Sequence, residues 1–353
     1  MKYSREMAES DVHEHFMRRA LNEAKKGAGL TSPNPAVGAL LVADGKIVSR
    51  GHHRGPGLPH AEIECLRNVR GPKSKNAVLY VTLEPCSTTG RTPPCTDAII
   101  AAGIQELIVG AIDPNPRHAG RGLEQLRAAG IRVHYGVLAS ECALLNEAFN
   151  KWIQTRRPFV IAKCGMSLDG RLTRLPGEPR RLTSAAARRH AHETRAQVDA
   201  ILIGAETLRQ DNPRLTVRDI KGARQPWRVV ISRAGNLPRR AHLFTDRFAD
   251  RTLLYRNKSL EAVLRDLGTK EITSVLIEGG GEVLGHAFDA RLIDQIRFYI
   301  APLMTGGPVA AIGGKGADAS ERGAHLTDIH YERVGPDLCV RAYPIFDWKN
   351  VSE

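Results

Sequence analysis

The sequence lacks the features that mark membrane, secreted and fibrous proteins. No apolar run in its 353 residues approaches the roughly 20 residues that cross a bilayer. The polar start, MKYSREMAESDVHEHF, has no apolar core of the kind that a signal peptide needs. With 42% hydrophobic and 25% charged residues, the composition is globular, which argues against disorder, collagen and coiled coil. We therefore expect a soluble cytoplasmic protein of two domains.

Cysteine is scarce, and the six cysteines are too widely spread for a disulfide framework. Cys86 and Cys95 form a close pair within the stretch TLEPCSTTGRTPPC. Two such cysteines can form a disulfide, provide part of a metal site, or do neither. Polar neighbours in a cytosolic chain favour metal binding or catalysis. The remaining cysteines lie in apolar or helical contexts, where we expect small buried side chains: Cys65, Cys142, Cys164 and Cys339.

Aromatic residues make up only 5% of the chain, whereas the formal net charge is +13. A positive charge suits either nucleic acid or anionic small molecules such as phosphorylated substrates and NADPH. The basic residues are scattered, without a long basic arm or a stripe interleaved with aromatic residues. This pattern disfavours a platform on which single-stranded bases stack. Charge alone leaves the two kinds of partner open.

Periodicity predicts an α/β organisation. A helix is expected over residues 11–26, ending before Gly27, and a β-hairpin is expected to turn at Asp44-Gly45. Strand-like and helical segments alternate afterwards, which is typical of a layered α/β sheet. A helix over about residues 140–154 leads to a domain boundary, and a second complete α/β pattern follows it. We therefore predict domains at residues 1–154 and 155–353.

One histidine and two cysteines stand where predicted strands meet predicted helices: His60, Cys86 and Cys95. A catalytic zinc takes three protein ligands of this kind and leaves one position for water. Glu62, in the first turn of the helix after His60, can take a proton from that water without ligating. Zinc deaminases of amino-pyrimidine-like rings share this arrangement, although eight residues, 87–94, separate these cysteines instead of the usual two. A structural zinc or a chance grouping is the alternative, but no fourth ligand stands at good spacing.

A set of motifs extends this pattern along the chain. PNPAVG, HAE, TLEPCS, GRTPPC, DPNP and AGRG occur in this order, followed by KCGMSLDGR, DNPRLTVR and IEGGG. In combination they resemble the bifunctional riboflavin-biosynthesis enzymes of the RibD type, from about Phe16 to Tyr343. The resemblance implies a cytidine-deaminase-like α/β/α sandwich followed by a dihydrofolate-reductase-like α/β domain. It also implies zinc-dependent deamination of 2,5-diamino-6-ribosylamino-4(3H)-pyrimidinone 5′-phosphate, and then NADPH-dependent reduction of the ribosyl group to ribityl.

For the deaminase half, the resemblance implies zinc ligands at His60, Cys86 and Cys95 and a proton shuttle at Glu62. It implies substrate contacts at five further positions: Asn34, His53, Arg91, Asp113 and Asn115. The guanidinium of Arg91, in a loop beside a glycine, also suits a phosphate on chemical grounds. His53 has an alternative interpretation as a histidine in a surface turn.

For the reductase half, the segment IEGGGE predicts a strand, a glycine turn and a helix start, where backbone N–H groups can approach a phosphate. It is not a GxGxxG motif, and a plain strand–helix turn is the alternative. By resemblance Asp211 assists proton transfer, although it can also cap a turn. Implied substrate contacts are Arg195, Leu215, Arg218 and Glu278, with the two arginines gripping the phosphate. Implied cofactor contacts are Gly165, Thr207, Asp211, Ser232, Gly280, Gly281, Glu282, Val283, Leu284 and Gly285.

The chain departs from the usual family pattern at Thr88, where a histidine is typical, and at Pro179 and Arg181, where serine and tryptophan are typical. Two other functions compete with the main interpretation. One is a deaminase of tRNA or nucleic-acid bases with a basic RNA-binding second domain, and the other is a reductase with an inactive deaminase domain. The glycine turn favours nucleotide chemistry over RNA binding. We expect zinc and NADPH as cofactors, a phosphorylated pyrimidine as substrate, no nucleic-acid or membrane partner, and a homo-oligomer, either dimer or tetramer.

Overall fold

The computed structural model describes residues 9–69, 77–90, 92–173, 175 and 182–346. Three positions that the sequence analysis singled out lie outside these residues: Arg91, Pro179 and Arg181. The chain divides into two compact units, Met1–Thr155 and Arg156–Glu353. Among the described residues, no helix combines the length and the apolar character that crossing a membrane requires.

The first unit is built on a five-stranded sheet. Its strands are β1 (Gly38–Ala43), β2 (Lys46–His52), β3 (Val78–Leu83), β4 (Glu106–Ala111) and β5 (Arg132–Tyr135). Its helices are α1 (Glu9–Ala24), α2 (Ala61–Arg67), α3 (Cys95–Ala101), α4 (Arg121–Ala128), α5 (Ala139–Leu145) and α6 (Glu147–Thr155). The strand order is β2-β1-β3-β4-β5. β1 is antiparallel to β2 and β3, whereas β3, β4 and β5 are parallel.

Alternate residues of these strands enter two hydrophobic cores, one on each face of the sheet, because successive side chains of a strand point in opposite directions. Leu41 and Leu107 pack with residues of α2, α3 and α4, while Leu40 and Ile108 pack with residues of α1 and α5. The first unit is therefore a three-layer α/β/α sandwich. The carboxyl ends of the parallel strands β3 and β4 lead into the segments that carry the candidate deaminase residues.

Local predictions in this unit had mixed outcomes. The predicted first helix is observed as Glu9–Ala24 and is followed by a 3-10 turn, Lys25–Gly27. The hairpin turn is confirmed, with φ of 49° at Asp44 and 70° at Gly45, the positive values that a type I′ turn requires.

The single helix predicted over residues 140–154 is wrong, because two helices, α5 and α6, occupy this stretch and are separated at Asn146. The side chain of Asn146 is bound to a distant part of the chain at this break. It accepts the Ala36 N–H at 2.8 Å and donates to the Ala36 carbonyl at 3.0 Å, across 110 residues of sequence. Asparagine is also a poor former of helix interiors, and local periodicity carries no sign of this distant pairing.

The second unit contains an eight-stranded sheet and a separate two-stranded sheet. Its strands are β6 (Phe159–Ser167), β7 (Arg171–Thr173), β8 (Ala200–Gly204), β9 (Trp227–Ser232), β10 (Thr252–Arg256), β11 (Ser274–Ile277), β12 (Gln295–Ala301), β13 (Val309–Ala310), β14 (His325–Val334) and β15 (Asp337–Ile345). Its helices are α7 (Ala185–Gln197), α8 (Ala205–Asp211), α9 (His242–Thr245), α10 (Leu260–Thr269) and α11 (Gly281–Asp289).

The large sheet has the order β10-β9-β8-β11-β6-β12-β15-β14, and β13 pairs with β7. The strands from β10 to β12 are parallel, and the last two are antiparallel. Open parallel sheets bind ligands at the carboxyl ends of their strands. Here these ends present Gly204 at the end of β8, Ser232 at the end of β9 and the glycine turn after β11. The topology thus brings together residues that lie far apart in the sequence.

Candidate active sites

The structure brings His60, Cys86 and Cys95 together as a group that fits a metal ion. His60 directly precedes α2, and Cys95 is the first residue of α3. The Nδ1 atom of His60 lies 3.3 Å from Sγ of Cys95 and 3.6 Å from Sγ of Cys86. Tetrahedral zinc with ordinary Zn–N and Zn–S bonds places such ligand atoms about 3.6 Å apart. The donor set and its spacing therefore fit zinc.

The unused nitrogen of His60 has a partner that the sequence analysis missed. Nε2 of His60 lies 3.4 Å from Oγ1 of Thr92. A metal-binding histidine usually hands its second N–H to an acceptor, which fixes the ring orientation and the tautomer. Within the described residues, the metal-like group contains one histidine and two cysteines. This count matches an open catalytic site better than the four-ligand structural site that was the alternative.

The two cysteines have opposite electrostatic environments. Hydrogen bonding by Cys95, and then by His60, lowers the pKa of Cys86 to about 4 despite partial burial. The backbone N–H of Cys95 also donates to the Cys86 sulfur, at 3.4 Å. The pKa of the Cys95 thiol is raised, first by the Cys86 sulfur and then by burial. A thiolate on Cys86 thus opposes ionisation of Cys95, and a cation between them removes this opposition.

Glu62 lies beside this group without belonging to it. The residue is only 3% exposed and is the second residue of α2. Burial, and then the negative charge on Cys86, raises the pKa of the Glu62 carboxyl to about 7. A carboxyl in such surroundings can both accept and donate a proton near neutral pH.

His53 is buried, with 2% exposure, so its interpretation as a surface-turn histidine is wrong. Its Nδ1 lies 3.1 Å from the Pro59 carbonyl and its Nε2 lies 3.1 Å from Nδ2 of Asn34. Because the carbonyl only accepts and the amide NH₂ only donates, Nδ1 carries the proton. Burial lowers the pKa of His53, and the neutral ring stands edge-on to His60, with the ring centroids 5.1 Å apart. The structure thus joins Asn34 and His53 to the metal ligands.

Asp113 and Asn115 lie in the loop after β4. The Asn115 N–H donates to Oδ1 of Asp113 at 2.9 Å. Burial raises the pKa of Asp113 to about 6, against the effect of this backbone hydrogen bond. Thr88, in the segment between the zinc-ligand cysteines, is exposed.

Glu84 is a positioning residue that the sequence analysis missed. It follows β3, is 4% exposed, and accepts backbone N–H groups of Asp113 at 3.2 Å, Gly120 at 2.9 Å and Gly122 at 2.9 Å. A Cβ at Gly122 would lie 2.4 Å from the Pro85 carbonyl, so a glycine is needed for this approach. A lone carboxylate at the end of a buried, mostly apolar strand was the available signal. Its three partners lie 29 to 38 residues further along the chain, beyond the reach of local patterns.

In the second unit, a cavity of about 1040 Å³ opens at the carboxyl ends of the parallel strands. Its lining includes six of the predicted cofactor residues: Thr207, Ser232, Gly280, Gly281, Glu282 and Val283. Oγ1 of Thr207 accepts the N–H of Gly280 at 3.1 Å and so holds the glycine turn. The first N–H groups of a helix have no partner within the helix, and the first three residues of α11, Gly281 to Val283, line the cavity. The size, the glycines and the helix start fit the phosphates of a dinucleotide.

The other predicted cofactor residues occupy different places. Leu284 is fully buried in the hydrophobic core, and Gly285 packs closely on the backbone of Gly313. Gly165 lines a second cavity. Asp211 is exposed at the end of α8 and is not among the residues lining either cavity. Cofactor contacts at these four positions stay predictions.

Gly281 provides a test of the glycine turn. A Cβ at this position would lie 2.2 Å from the Ala310 carbonyl, so Gly281→Ala forces the turn away from its neighbour. Overpacking of this kind costs about 1–3 kcal/mol. We expect the KM for NADPH to rise about 10- to 100-fold, while ammonia release is unchanged. Gly323→Ala is the matched control, since its Cβ meets only the Ser320 carbonyl at 3.2 Å. An unchanged KM in Gly281→Ala would exclude the turn from the cofactor site.

The second cavity, of about 450 Å³, contains Arg195 and Arg218 together with Gly165. Arg195 forms a two-pronged ion pair with Glu278, through Nε at 2.6 Å and Nη2 at 2.8 Å. Burial alone would raise the pKa of Glu278, but Arg195 and Lys163 overcome it and hold the pKa at about 2. Leu215, which lies three residues before Arg218, is buried. Its φ is 49°, a value that a leucine adopts only under local constraint.

Two family models match the chain. The model described as "Cytidine and deoxycytidylate deaminase zinc-binding region" matches residues 10–111, and the model described as "RibD C-terminal domain" matches residues 158–340. The first range contains His60, Glu62, Cys86 and Cys95. The second contains both cavities' predicted residues.

Curated relatives are similar over nearly the whole chain. The "Riboflavin biosynthesis protein RibD" of Synechocystis is 39% identical, and the match covers 93% of this chain and 95% of that protein. The protein of the same name from Escherichia coli is 38% identical, and the match covers 93% and 98%, respectively.

Solved structures show the same similarity. Acinetobacter baumannii RibD has a TM-score of 0.88 and 32% identity, covering 96% of this chain and 100% of that one. A diaminohydroxyphosphoribosylaminopyrimidine deaminase/5-amino-6-(5-phosphoribosylamino)uracil reductase from Thermotoga maritima has a TM-score of 0.86 and 33% identity, with the same coverage. These findings confirm the predicted two-domain α/β class, with a cytidine-deaminase-like domain first and a RibD C-terminal domain second.

Proposed function

The chain belongs to the RibD family of riboflavin-biosynthesis proteins, and from this membership we propose how its residues divide the work. The protein is a bifunctional enzyme with a zinc-type deaminase domain and a reductase domain. We assign deamination to residues 1–154 and reduction to residues 155–353. The proposed substrate is 2,5-diamino-6-ribosylamino-4(3H)-pyrimidinone 5′-phosphate, which is first deaminated and then reduced at its ribosyl group.

The observation that carries the deaminase assignment is the group of His60, Cys86 and Cys95 with the buried Glu62 beside it. His60, Cys86 and Cys95 would hold a zinc ion, whose Lewis acidity would lower the pKa of the attacking water. Glu62 takes a proton from the water while the oxygen of that water adds to the ring carbon that bears the amino group. The same carboxyl then delivers the proton to the amino nitrogen, which leaves as ammonia. Thr92 fixes the ring of His60 throughout.

We assign substrate orientation to residues that surround the metal group. The Asn34–His53 hydrogen bond holds both side chains in one arrangement, and Glu84 holds the loop of Asp113 and Asn115. Side chains held in this way can orient a substrate toward Glu62. The contact of Arg91 with substrate stays a prediction.

For reduction, NADPH supplies a hydride when it is bound in the larger cavity. Thr207 holds the glycine turn at the start of α11, where the phosphates of the cofactor would bind. The ion pair of Arg195 and Glu278 shapes the smaller cavity for the ribosyl phosphate. The predicted homo-oligomeric state and cytoplasmic location are left as predictions.

By family resemblance we assign proton transfer in reduction to Asp211, although it is not among the residues lining either cavity, and Asp211→Asn tests this assignment. Because an amide cannot supply the proton, we expect NADPH oxidation with pre-deaminated substrate to slow about 10²-fold. Ammonia release provides the internal control and should be unchanged. Unaltered NADPH oxidation would return Asp211 to the role of a turn residue.

The proposed pair of activities is tested by measuring ammonia release and NADPH oxidation with the diaminopyrimidine phosphate. We expect ammonia first and NADPH oxidation second, both from the same purified chain. The match of residues 158–340 to the RibD C-terminal domain does not favour the RNA-binding alternative. Tight RNA binding at physiological salt without NADPH binding would reverse this conclusion.

A further inference from the structure

The smaller cavity of the second unit is strongly basic. Its lining includes one carboxylate, Asp219, and five cationic side chains, Lys163, Arg188, Arg189, Arg195 and Arg218. Glu278 lies behind the wall, where it pairs with Arg195 and lies 3.7 Å from the Lys163 ammonium. Because acids compensate only part of the positive charge, the cavity attracts anions.

Arg195 is largely used inside the protein. Its Nε and Nη2 bind the two oxygens of Glu278, and its Nη1 donates to the Thr216 carbonyl at 3.2 Å. These bonds use three of the five N–H donors of the guanidinium and leave two for a ligand. Further donors toward the cavity come from its other residues.

His192, on α7, is one of these residues and is 9% exposed. Its Nδ1 lies 3.2 Å from the backbone nitrogen of Arg218, and its Nε2 lies 3.1 Å from Nη2 of the same residue. The backbone N–H and the guanidinium can only donate. Burial, with the charges of Arg195 and Arg218, lowers the pKa of His192 to about 4, so the ring is neutral.

A neutral imidazole has one donor and one acceptor nitrogen. Since Nδ1 accepts the backbone N–H of Arg218, Nε2 carries the proton. Nε2–H and the guanidinium of Arg218 are then two donors side by side, and among the described residues no acceptor bonds to both. In the other tautomer Nδ1 carries the proton, and it then faces the backbone N–H of Arg218 as a second donor. An oxyanion placed against both groups accepts both hydrogen bonds and removes the conflict.

We propose that Nε2–H of His192 and the guanidinium of Arg218 together bind the phosphate of the reductase substrate in this cavity. The proposal rests on the assigned reduction of a phosphorylated substrate by the second unit. His192 is a specificity-determining residue in this account: it selects the phosphorylated ribosyl chain and takes no part in hydride transfer. Arg195 supports the site by holding Glu278 and the Thr216 backbone.

Two substitutions at one position test the donor pair. His192→Leu removes the donor, whereas His192→Gln keeps an oxygen for the Arg218 N–H and an NH₂ for the phosphate. Loss of a hydrogen bond to a charged group raises KM about 10- to 100-fold. We expect this rise for the pre-deaminated substrate in His192→Leu, with kcat and the KM for NADPH within about twofold of wild type. His192→Gln should lie within about threefold of wild type in all three.

Glu193→Gln is the matched control. Glu193 follows His192 on the same helix, is exposed and is not among the residues lining the cavity. The substrate KM should therefore stay unchanged in this variant. Equal loss in His192→Leu and His192→Gln, or a normal substrate KM in His192→Leu, would overturn the proposal. A rise in the KM for NADPH alone would assign the pair to a cofactor phosphate and would also overturn it.

Calorimetric titration with inorganic phosphate tests the same pair without turnover. Wild-type protein and His192→Gln should bind phosphate, and His192→Leu should bind it about tenfold more weakly or worse. Equal phosphate binding by all three proteins would contradict the proposal. A wild-type protein that binds phosphate but never oxidises NADPH would instead refute the reductase assignment, so the two failures are distinguishable.

Discussion

Glu62→Gln is expected to abolish measurable ammonia release, with a loss of about 10²- to 10⁴-fold, while zinc stays bound. Glutamine has the size of glutamate but cannot accept the proton of the attacking water. Its position is 3% exposed, so bulk water does not replace the missing base. Zinc is retained because the group of ligand atoms consists of one nitrogen and two sulfurs and excludes Glu62. Reduction of pre-deaminated substrate should be unchanged.

Glu64→Gln is the matched control for this result. Glu64 lies on the same helix, two residues further along, and pairs at 2.8 Å with the exposed Arg54. Its loss removes a surface ion pair, which contributes about 0–1 kcal/mol, and should leave ammonia release intact. Loss of zinc in Glu62→Gln would show that Glu62 is a ligand, contrary to the proposed role.

Cys95→Ser is expected to give the second large effect, loss of zinc and of ammonia release together. Zinc sites of four ligands bind with about 10–16 kcal/mol, so each thiolate contributes about 3 kcal/mol, or about 10²-fold in affinity. A serine hydroxyl does not ionise readily, and the remaining His60 and Cys86 cannot make the three-ligand group. The measurements are zinc content after dialysis and ammonia release.

Cys142→Ala is the control for Cys95→Ser. Cys142 is also fully buried in the first unit but belongs to the core formed with α1 and α5, outside the metal-like group. It should keep its zinc and its ammonia release. Full zinc content in Cys95→Ser would mean that the site draws its ligands from elsewhere.

The metal group was predictable from the sequence because each ligand marks a junction between a strand and a helix. The order of the strands and helices is enough to place the three ligands at one edge of the sheet: His60, Cys86 and Cys95. The hairpin at Asp44-Gly45 was predictable for a similar reason, since its chemistry is complete within two residues.

Residues whose partners are distant were not predictable in this way. The role of Glu84 depends on the backbone N–H groups of Asp113, Gly120 and Gly122. Asn146 lies at a helix break and binds the backbone of Ala36. His192 lies on a helix whose basic residues suggest a solvated face, and its contact with Arg218 spans 26 residues. In each case one side chain satisfies backbone or charged groups that only the folded chain brings near.

Zinc content measured alongside ammonia release, before and after chelation, tests the central claim most directly. The purified protein is predicted to hold one zinc per chain, at His60, Cys86 and Cys95. Chelation should abolish ammonia release, added zinc should restore it, and NADPH-dependent reduction of pre-deaminated substrate should stay constant throughout. Undiminished ammonia release from zinc-free protein would contradict the account.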